Sequence, residues 1–396
     1  MKPGLAIVGG GPAGMMAAIR AAGVLGDGSR IVLFDKNERL GRKIYLTGKG
    51  RCNLTNLRPW EEFAPHIHPN QGFLKQAFRA FPNEALIRFF EEDLGIPTVT
   101  LQGQRVYPAS LSAADVARAL ECRVAELGVD VRRGTSVAHL SDLAEYGAVI
   151  IATGGKSYPV TGSTGDGYRF AQEAGHTVTP LFPSETALLP EPYDRDLVGQ
   201  TLKHVGLKLY VDRTPVQEDE GEFNFTDDGL ESGIAYHLSR RAVWALVNGQ
   251  RVDIVLDLKP ALTEEQLANR IQRAALPGSV SLSTALGALS FLPKVLVKPF
   301  LTAFPGHTLE KLPAALKSWP FHIVDYKGYD RAVVTAGGVS LKEISPKTMA
   351  SRLRPGLYFC GEVLDLDGDT GGYNLQIAFS TGAVAGRSAA EYLLRD

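Results

Sequence analysis

Glycines at positions 9, 11 and 14 follow the apolar run "LAIVG" (5–9) and open the Ala-rich stretch "PAGMMAAIRAAGVLG" (12–26). Each has its own use in holding a dinucleotide. Gly9 permits a tight turn, Gly11 lets a pyrophosphate approach the backbone, and Gly14 lets helix and strand pack closely. The helix start then offers free N–H groups and a partial positive charge to the phosphates. An acid about twenty residues further on completes the pattern by accepting ribose hydroxyls. Asp35, closing the second apolar run "RIVLFD" (30–35), stands in that place. An acid rather than a base argues against a 2′-phosphate.

The stretch "GRKIYLTGKGRCNLTN" (41–56) crowds Arg42, Lys43, Lys49 and Arg51 among glycines. It reads either as a solvated basic loop or as a loop folded along the dinucleotide. In the second reading Arg42 or Lys43 lies near phosphate or ribose, with Cys52 and Asn53 further along, toward a reactive ring. Cys52 itself reads as a packing residue rather than a thiolate, although Arg51 beside it would lower its pKa. "IIATGG" (150–155) is a buried strand ending in Thr153-Gly154-Gly155, which brings bare backbone against something. In "TGSTGDGYRFAQEAGH" (161–176), Thr164 and Asp166 suit helix caps.

Near the end, "GEVLDLDGDTGGYN" (361–374) packs Glu362, Asp365, Asp367 and Asp369 together. A calcium loop starting at Asp365 needs Gly at its sixth position and a bidentate Glu at its twelfth. Those positions hold Thr370 and Gln376, so no metal is expected and the aspartates read as turn formers or caps. His66 and His68 form an H-x-H pair without further ligands nearby in sequence, which reads as a loop.

These stretches need elements to position them. Strand, helix and strand alternate over residues 5–35 and return over 110–151, where "LSAADVARALECRVAELG" is helical and "AVIIATGG" strand-like. From about 184 to 258 "TLKHVGLKLYVD" and "RVDIVLDLKP" read as strands, "QEDEGEFN" as an acidic turn and "IAYHLSRRAVWALV" as one helix. "LTEEQLANRIQRAAL" starts a helix at Thr263 with Gln266 as capping-box partner, and the stretch to about 324 reads as helical, broken by prolines. "RAVVTAGGVS" and "GLYFCGE" are strands again, and the chain closes on a helix. The ends resemble each other and the middle differs, as expected for one nucleotide-binding domain assembled from both termini.

Taken together, the N-terminal Gly-x-Gly-x-x-Gly with Asp35, "GRK…GRCNLTN", "ATGG…TGSTGDG", "TAGGVSLKEI" and "LYFCGEVLDLDGDTGGYN" resemble the YhiN-like (HI0933-like) family of bacterial flavoproteins. That family belongs to the glutathione-reductase-like superfamily, and aminoacetone oxidases and a bile-acid dehydro-reductase are among its members. "TGDG" is also similar to fumarate-reductase flavoproteins. The middle of the chain matches mainly in length and placement. The resemblance implies an α/β fold: a Rossmann-like FAD-binding domain split over 1–183 and 325–396, an inserted mainly β domain over 184–258 and a helical cap over 259–324. It also gives the acid-rich stretch a job. Gly361-Glu362 would end a strand, with the acid accepting hydrogen bonds from the ribityl or pyrophosphate region. Gly371, Gly372, Tyr373 and Asn374 would open the last helix toward the flavin N1–C2=O edge, where a helix N-terminus stabilises the reduced form. The residues expected against FAD are Gly9, Gly11, Pro12, Ala13, Gly14, Asp35, Lys36, Arg42, Lys43, Arg51, Cys52, Asn53, Val137, Thr153, Gly154, Gly361, Glu362, Gly372, Tyr373, Asn374 and Leu375. No residue is assigned as acid, base or nucleophile.

The expected activity is an FAD-dependent oxidoreductase acting on a small organic molecule, with the flavin reduced by NADH or NADPH through transient stacking, or by the substrate itself. Two alternatives stand beside it: an oxygen-using amine oxidase of the aminoacetone oxidase type, and a flavin-bound protein that binds or modifies RNA. A plain NAD-dependent dehydrogenase would leave the C-terminal Gly-Glu…Gly-Gly-Tyr-Asn element without a job. No second dinucleotide fingerprint and no C-x-x-C appear, which disfavours disulfide reductases. A net charge of −1 recruits neither nucleic acid nor an anionic membrane, and no apolar run reaches spanning length. Three cysteines without a zinc or disulfide pattern fit a reducing compartment, so the chain reads as cytoplasmic. Its oligomeric state is not legible.

Overall fold

The computed structural model describes residues 4–274, 286 and 292–395. The chain divides into two compact units, one comprising Met1–Phe182 with Val333–Asp396 and the other Pro183–Ala332.

In the first unit, the short apolar runs become β1 (Leu5–Val8) and β2 (Ile31–Phe34), every residue of which is buried. Covered on both faces, they belong in a parallel sheet flanked by helices. The sheet has five strands in the order Leu357–Phe359, Ala148–Ile151, β1, β2, Asp130–Arg132. Its pairs are parallel, with Leu5 opposite Ile31 on one side and Ala148 on the other. The C-terminal strand thus lies beside a strand reached midway along this unit, and both termini contribute to one sheet.

Helix α1 (Pro12–Leu25) packs against the C-terminal helix (Tyr373–Arg395) on small residues. Side chains added at Gly382 and Gly386 would place Cβ 2.3 Å from the Ala13 carbonyl oxygen and 2.1 Å from that of Ala17. Two glycines four residues apart therefore fix how closely these helices approach. The two helices run in the same direction, and the C-terminal helix starts roughly two turns beyond α1 at one end of the sheet. Two small sheets frame that end: Thr55–Asn56, Arg105–Pro108 and Thr98–Leu101 form one, and Ile67–His68 with Asp367–Gly368 the other. Among the described residues no helix is long and apolar enough to cross a membrane.

The second unit holds a closed antiparallel barrel in the order Leu188–Pro190, Gly229–Glu231, Thr214–Thr226, Thr201–Val211, Val252–Asp257, Trp319–Tyr326. Burial alternates strictly along Val252–Asp257, as a half-buried strand requires. Phe223, Phe225, Phe300, Trp319 and Phe321 form its aromatic core, with ring centroids 4.8–6.1 Å apart.

Two expectations are corrected here. "QEDEGEFN" is not a turn but part of the strand Thr214–Thr226; the turn is Asp212-Arg213, both at positive φ. The acids misled because this strand's inward side is marked only by Phe223 and Phe225 near its end. Residues 319–324, expected in a helical cap, begin the strand Trp319–Tyr326 that closes the barrel. Helices do precede it at Glu264–Ala274, Lys294–Ala303 and Leu312–Leu316. The first carries the Thr263/Gln266 capping box, at 3.0 and 3.1 Å. Part of the apolar run 285–304 lies outside the described residues.

Candidate functional site

The three glycines of the first motif differ sharply in what surrounds them. Gly9 has φ +108°, and a Cβ there would fall 2.4 Å from the Ala152 carbonyl oxygen. A Cβ on Gly14 would fall 1.8 Å from the Gly9 carbonyl oxygen. A Cβ on Gly11 would meet nothing within 4 Å. Gly9 and Gly14 are thus needed by the turn, while Gly11 borders open space. That space lies at the start of α1, whose N-cap is Gly11 and whose first turn carries Pro12 and no acid. No side chain caps it, so the N–H groups of Ala13 and Gly14 have no intrahelical acceptor.

Asp35 stands at the end of β2 and braces this turn. Its Oδ2 accepts from the Gly10 N–H at 2.8 Å, and its Oδ1 from the Asn37 backbone and amide at 2.8 and 2.9 Å. Oδ1 is thereby filled, while Oδ2 keeps a further lone pair for a ribose hydroxyl. Arg42 donates to Asn37 Oδ1 at 2.8 Å. The loop carrying half-buried Val137 is tied alongside by Thr135 N–H to the Asp35 carbonyl, 2.9 Å. Lys36 reaches Thr164 and Asp166, the latter at 2.6 Å. This corrects the reading of Thr164 and Asp166 as caps: the helix Asp166–Glu173 starts after Gly165 at φ +87° with no side-chain cap.

Three distant stretches converge on Glu362. Lys43 pairs with it at 2.8 Å, and the Thr335 N–H donates to its Oε1 at 2.9 Å. A Cβ on Gly155 would fall 3.0 Å from the same oxygen. The basic loop, the "ATGG" turn and the C-terminal Gly-Glu thus meet. Gly361, at φ +76°, closes on Ala13, 2.8 Å from where its own Cβ would be. Nearby, Thr153 Oγ1 is buried without a hydrogen-bond partner, and Gly154 takes φ +74°. Arg51 turns to its own loop instead, donating to the Gly48 carbonyl at 3.1 Å and lying over the Tyr107 ring.

Bare backbone recurs at the C-terminal helix. Gly371 and Gly372 have φ +131° and +97°, and a Cβ on Gly372 would strike the Thr55 carbonyl at 2.5 Å and Asn53 Oδ1 at 2.9 Å. Asn53 Oδ1 is itself buried without a partner. The Asn374 amide is clipped to both backbone groups of Gly368, at 2.8 and 2.7 Å, so it is the backbone of this turn that remains to meet a ligand. Leu375 is half-buried beside it. Cys52 is fully buried, and burial pushes its thiol up to about 12, so it is inert packing.

Sequence reasoning missed one constellation. Asp369, read as a turn former, accepts from His66 Nδ1 at 2.8 Å and from His68 Nε2 at 3.0 Å. Arg58 contacts the other nitrogen of His66 at 2.6 Å, and Tyr373 stacks on its ring at 4.5 Å between centroids. The only sequence signal was the H-x-H pattern, whose partner lies 303 residues from His66. Among the described residues, no cluster of three or more His, Cys, Asp or Glu is arranged to hold a metal.

The residues present fit a flavin dinucleotide. An uncapped helix start faces open space at Gly11, an acid stands at the second strand's end, and a second glycine-opened helix start adjoins an orphaned buried amide oxygen.

Comparison with known proteins agrees. A family profile described as "HI0933-like protein Rossmann domain" matches residues 3–388. The chain is 31% identical to a 3-dehydro-bile acid delta(4,6)-reductase of Clostridium scindens, covering 98% of this chain and 99% of the relative. It is 30% identical to a ribosomal RNA dihydrouridine synthase of Escherichia coli, covering 95% of each. A solved quinol-fumarate reductase matches all of this chain and 72% of its own, with TM-score 0.51 at 17% identity, which is a likeness of fold.

Proposed function

The chain belongs to the HI0933-like family and is an FAD-dependent oxidoreductase, and from that premise we propose that it reduces carbon–carbon double bonds conjugated to a carbonyl, in a small organic substrate. The observation that carries this reading is the chemistry shared by two relatives that match it over nearly their whole length. A 3-dehydro-bile acid with Δ4,6 unsaturation and a uridine ring both present a double bond conjugated to a carbonyl, and reduction of either saturates it. When bound, FAD would supply the hydride chemistry that such a saturation needs, with NADH or NADPH as the reductant and the accompanying proton coming from solvent.

The chain's own part is to hold and polarise. The Gly9–Gly14 turn and Asp35 would hold pyrophosphate and ribose, Glu362 with its partner Lys43 would lie toward the ribityl or pyrophosphate region, and the Gly371–Gly372 turn would bring the C-terminal helix start against the ring. Reduction places negative charge at the N1–C2=O edge, which a helix N-terminus stabilises.

The test is to reduce the FAD-loaded chain anaerobically and mix it with a 3-oxo-Δ4,6 steroid acid. Reoxidation of the flavin with saturation of the steroid supports the reading. Reduced flavin left unmoved by such substrates, together with oxidised flavin that a primary amine bleaches, would replace it with the amine oxidase reading.

A uridine within RNA is a second reading, favoured by the Escherichia coli relative. Against it stand the net charge of −1 and the engagement of Arg42, Lys43 and Arg51 within the protein. Binding to ribosomal RNA that weakens steeply with salt would support it.

A further inference from the structure

Arg58, His66, His68 and Asp369 have no part in the reading above, yet with Tyr373 they form a cluster that adjoins the Gly371–Gly372 turn. The Asn56 side chain joins the two. Its Nδ2 donates to the Gly371 carbonyl at 3.3 Å, and its Oδ1 accepts from the Arg58 N–H at 3.0 Å. Asn83 Nδ2 holds the Arg58 carbonyl at 3.0 Å, so the backbone of Arg58 is pinned on both sides.

The hydrogen-bond chain fixes a tautomer. A guanidinium can only donate, so Arg58 Nη1 makes His66 Nε2 an acceptor. The ring proton then sits on Nδ1 and is donated to Asp369, and His66 is neutral. His68 secures the other Asp369 oxygen, and the strands Ile67–His68 and Asp367–Gly368 pair to hold both partners in register. The neutral imidazole keeps arginine and carboxylate apart, where direct contact would cancel their charges. Tyr373, the other group hydrogen-bonded to Arg58, is a phenol that burial keeps protonated. Arg58 Nε is buried with no partner. A second guanidinium, that of Arg105, has its Nε 3.9 Å from where a Cβ on Gly371 would stand.

We propose that Asp369 and His66 are positioning residues that hold the Arg58 guanidinium, through neutral contacts, beside the first turn of the C-terminal helix, where its charge adds to the helix's own and favours the anionic, reduced form of FAD. This rests on the FAD reading above. Arginine suits the task because it stays charged when partly desolvated and its planar fork can be fixed at several points.

The test uses the full chain loaded with FAD and reads sulfite affinity and the flavin midpoint potential rather than turnover. Sulfite adds through sulfur to flavin N5, and the adduct's negative charge settles on N1–C2=O. Arg58→Met should weaken sulfite binding roughly tenfold or more, as loss of a nearby charge in a partly desolvated site implies. It should also lower the two-electron potential, by about 30 mV for each tenfold in the equilibrium. His66→Leu should do the same, and it carries the test if Arg58→Met does not fold. His66→Gln, which keeps an acceptor for Arg58 and a donor for Asp369, should stay close to wild type. If Arg58→Met or His66→Leu holds FAD fully with unchanged sulfite affinity and potential, the inference is overturned and the FAD reading stands. If His66→Gln behaves like His66→Leu, the positioning chain is wrong. A wild-type chain that takes up no FAD overturns both.

Discussion

The contrast between Gly11 and Gly14 gives the sharpest prediction, because the two glycines are three residues apart and the structure assigns them opposite duties. A Cβ at position 14 would meet the Gly9 carbonyl oxygen at 1.8 Å and the Ala152 Cβ at 3.3 Å. Neither neighbour can give way without moving the turn or the sheet. Gly14→Ala should therefore cost about 3 kcal/mol, the upper end of ordinary overpacking. In a unit of this size that lowers the unfolding midpoint by roughly 6–12 °C. A Cβ at position 11 meets nothing, and the backbone there has φ −76°, which any residue adopts. Gly11→Ala should cost only what a poorer N-cap costs, about 0.5–1 kcal/mol. It should nonetheless weaken FAD binding roughly tenfold or more, about 1.4 kcal/mol, because the methyl group occupies the approach of the pyrophosphate. The assay pairs thermal unfolding of the FAD-free proteins with FAD titration of each. Should FAD-free Gly11→Ala lose as much stability as Gly14→Ala, or bind FAD like wild type, the reasoning about the open space at Gly11 would be refuted.

Other substitutions extend the account. Glu362→Ala removes the acceptor shared by Lys43 and the Thr335 N–H, so FAD should dissociate faster during gel filtration; full occupancy in that variant would count against the role given to Glu362. Cys52 should resist iodoacetamide in the folded protein, where exposed Cys122 is labelled, and because burial raises its thiol to about 12, no thiolate of Cys52 should shape a pH profile below that value. His176 is buried against Phe359, and desolvation lowers its pKa from the ordinary 6.5. The unfolded chain then binds the proton more readily than the folded one, so stability should fall as pH drops below 6.5, and His176→Gln should flatten that slope. In the barrel, Trp319→Ala should cost about 3–5 kcal/mol in unfolding experiments, since its fully buried ring contacts three phenylalanines.

What could be read from the sequence was what depends on neighbours in the chain. The Gly9–Gly14 turn, its flanking strands and Asp35 lie within one short segment, and each glycine's use follows from local sterics. The Gly371–Gly372 turn was read through the family resemblance of its whole stretch rather than from local sterics. Lys43 illustrates the limit. Its charge pointed to a phosphate or ribose, but the fold first gives it a carboxylate 319 residues away. Lys36 with Asp166 is similar, since capping propensity is a local argument and the lysine arrives from another strand. Asp369 was misread because an aspartate beside glycines is usually a turn former, and nothing local announces His68 on the strand Ile67–His68 and His66 just before it. In the barrel, charges along 217–222 hid a strand whose inward residues come later, and the helical texture before Trp319 masked the strand that closes it.

The central claim is that this chain carries FAD and uses it to reduce a conjugated double bond. Its most direct test is the visible spectrum of the purified chain, reconstituted with FAD where needed, followed anaerobically through addition of NADPH or NADH and then of a 3-oxo-Δ4,6 steroid acid. The account predicts bound-flavin bands that bleach with the nucleotide and return as the steroid is saturated. A chain that shows no flavin even after reconstitution would contradict it.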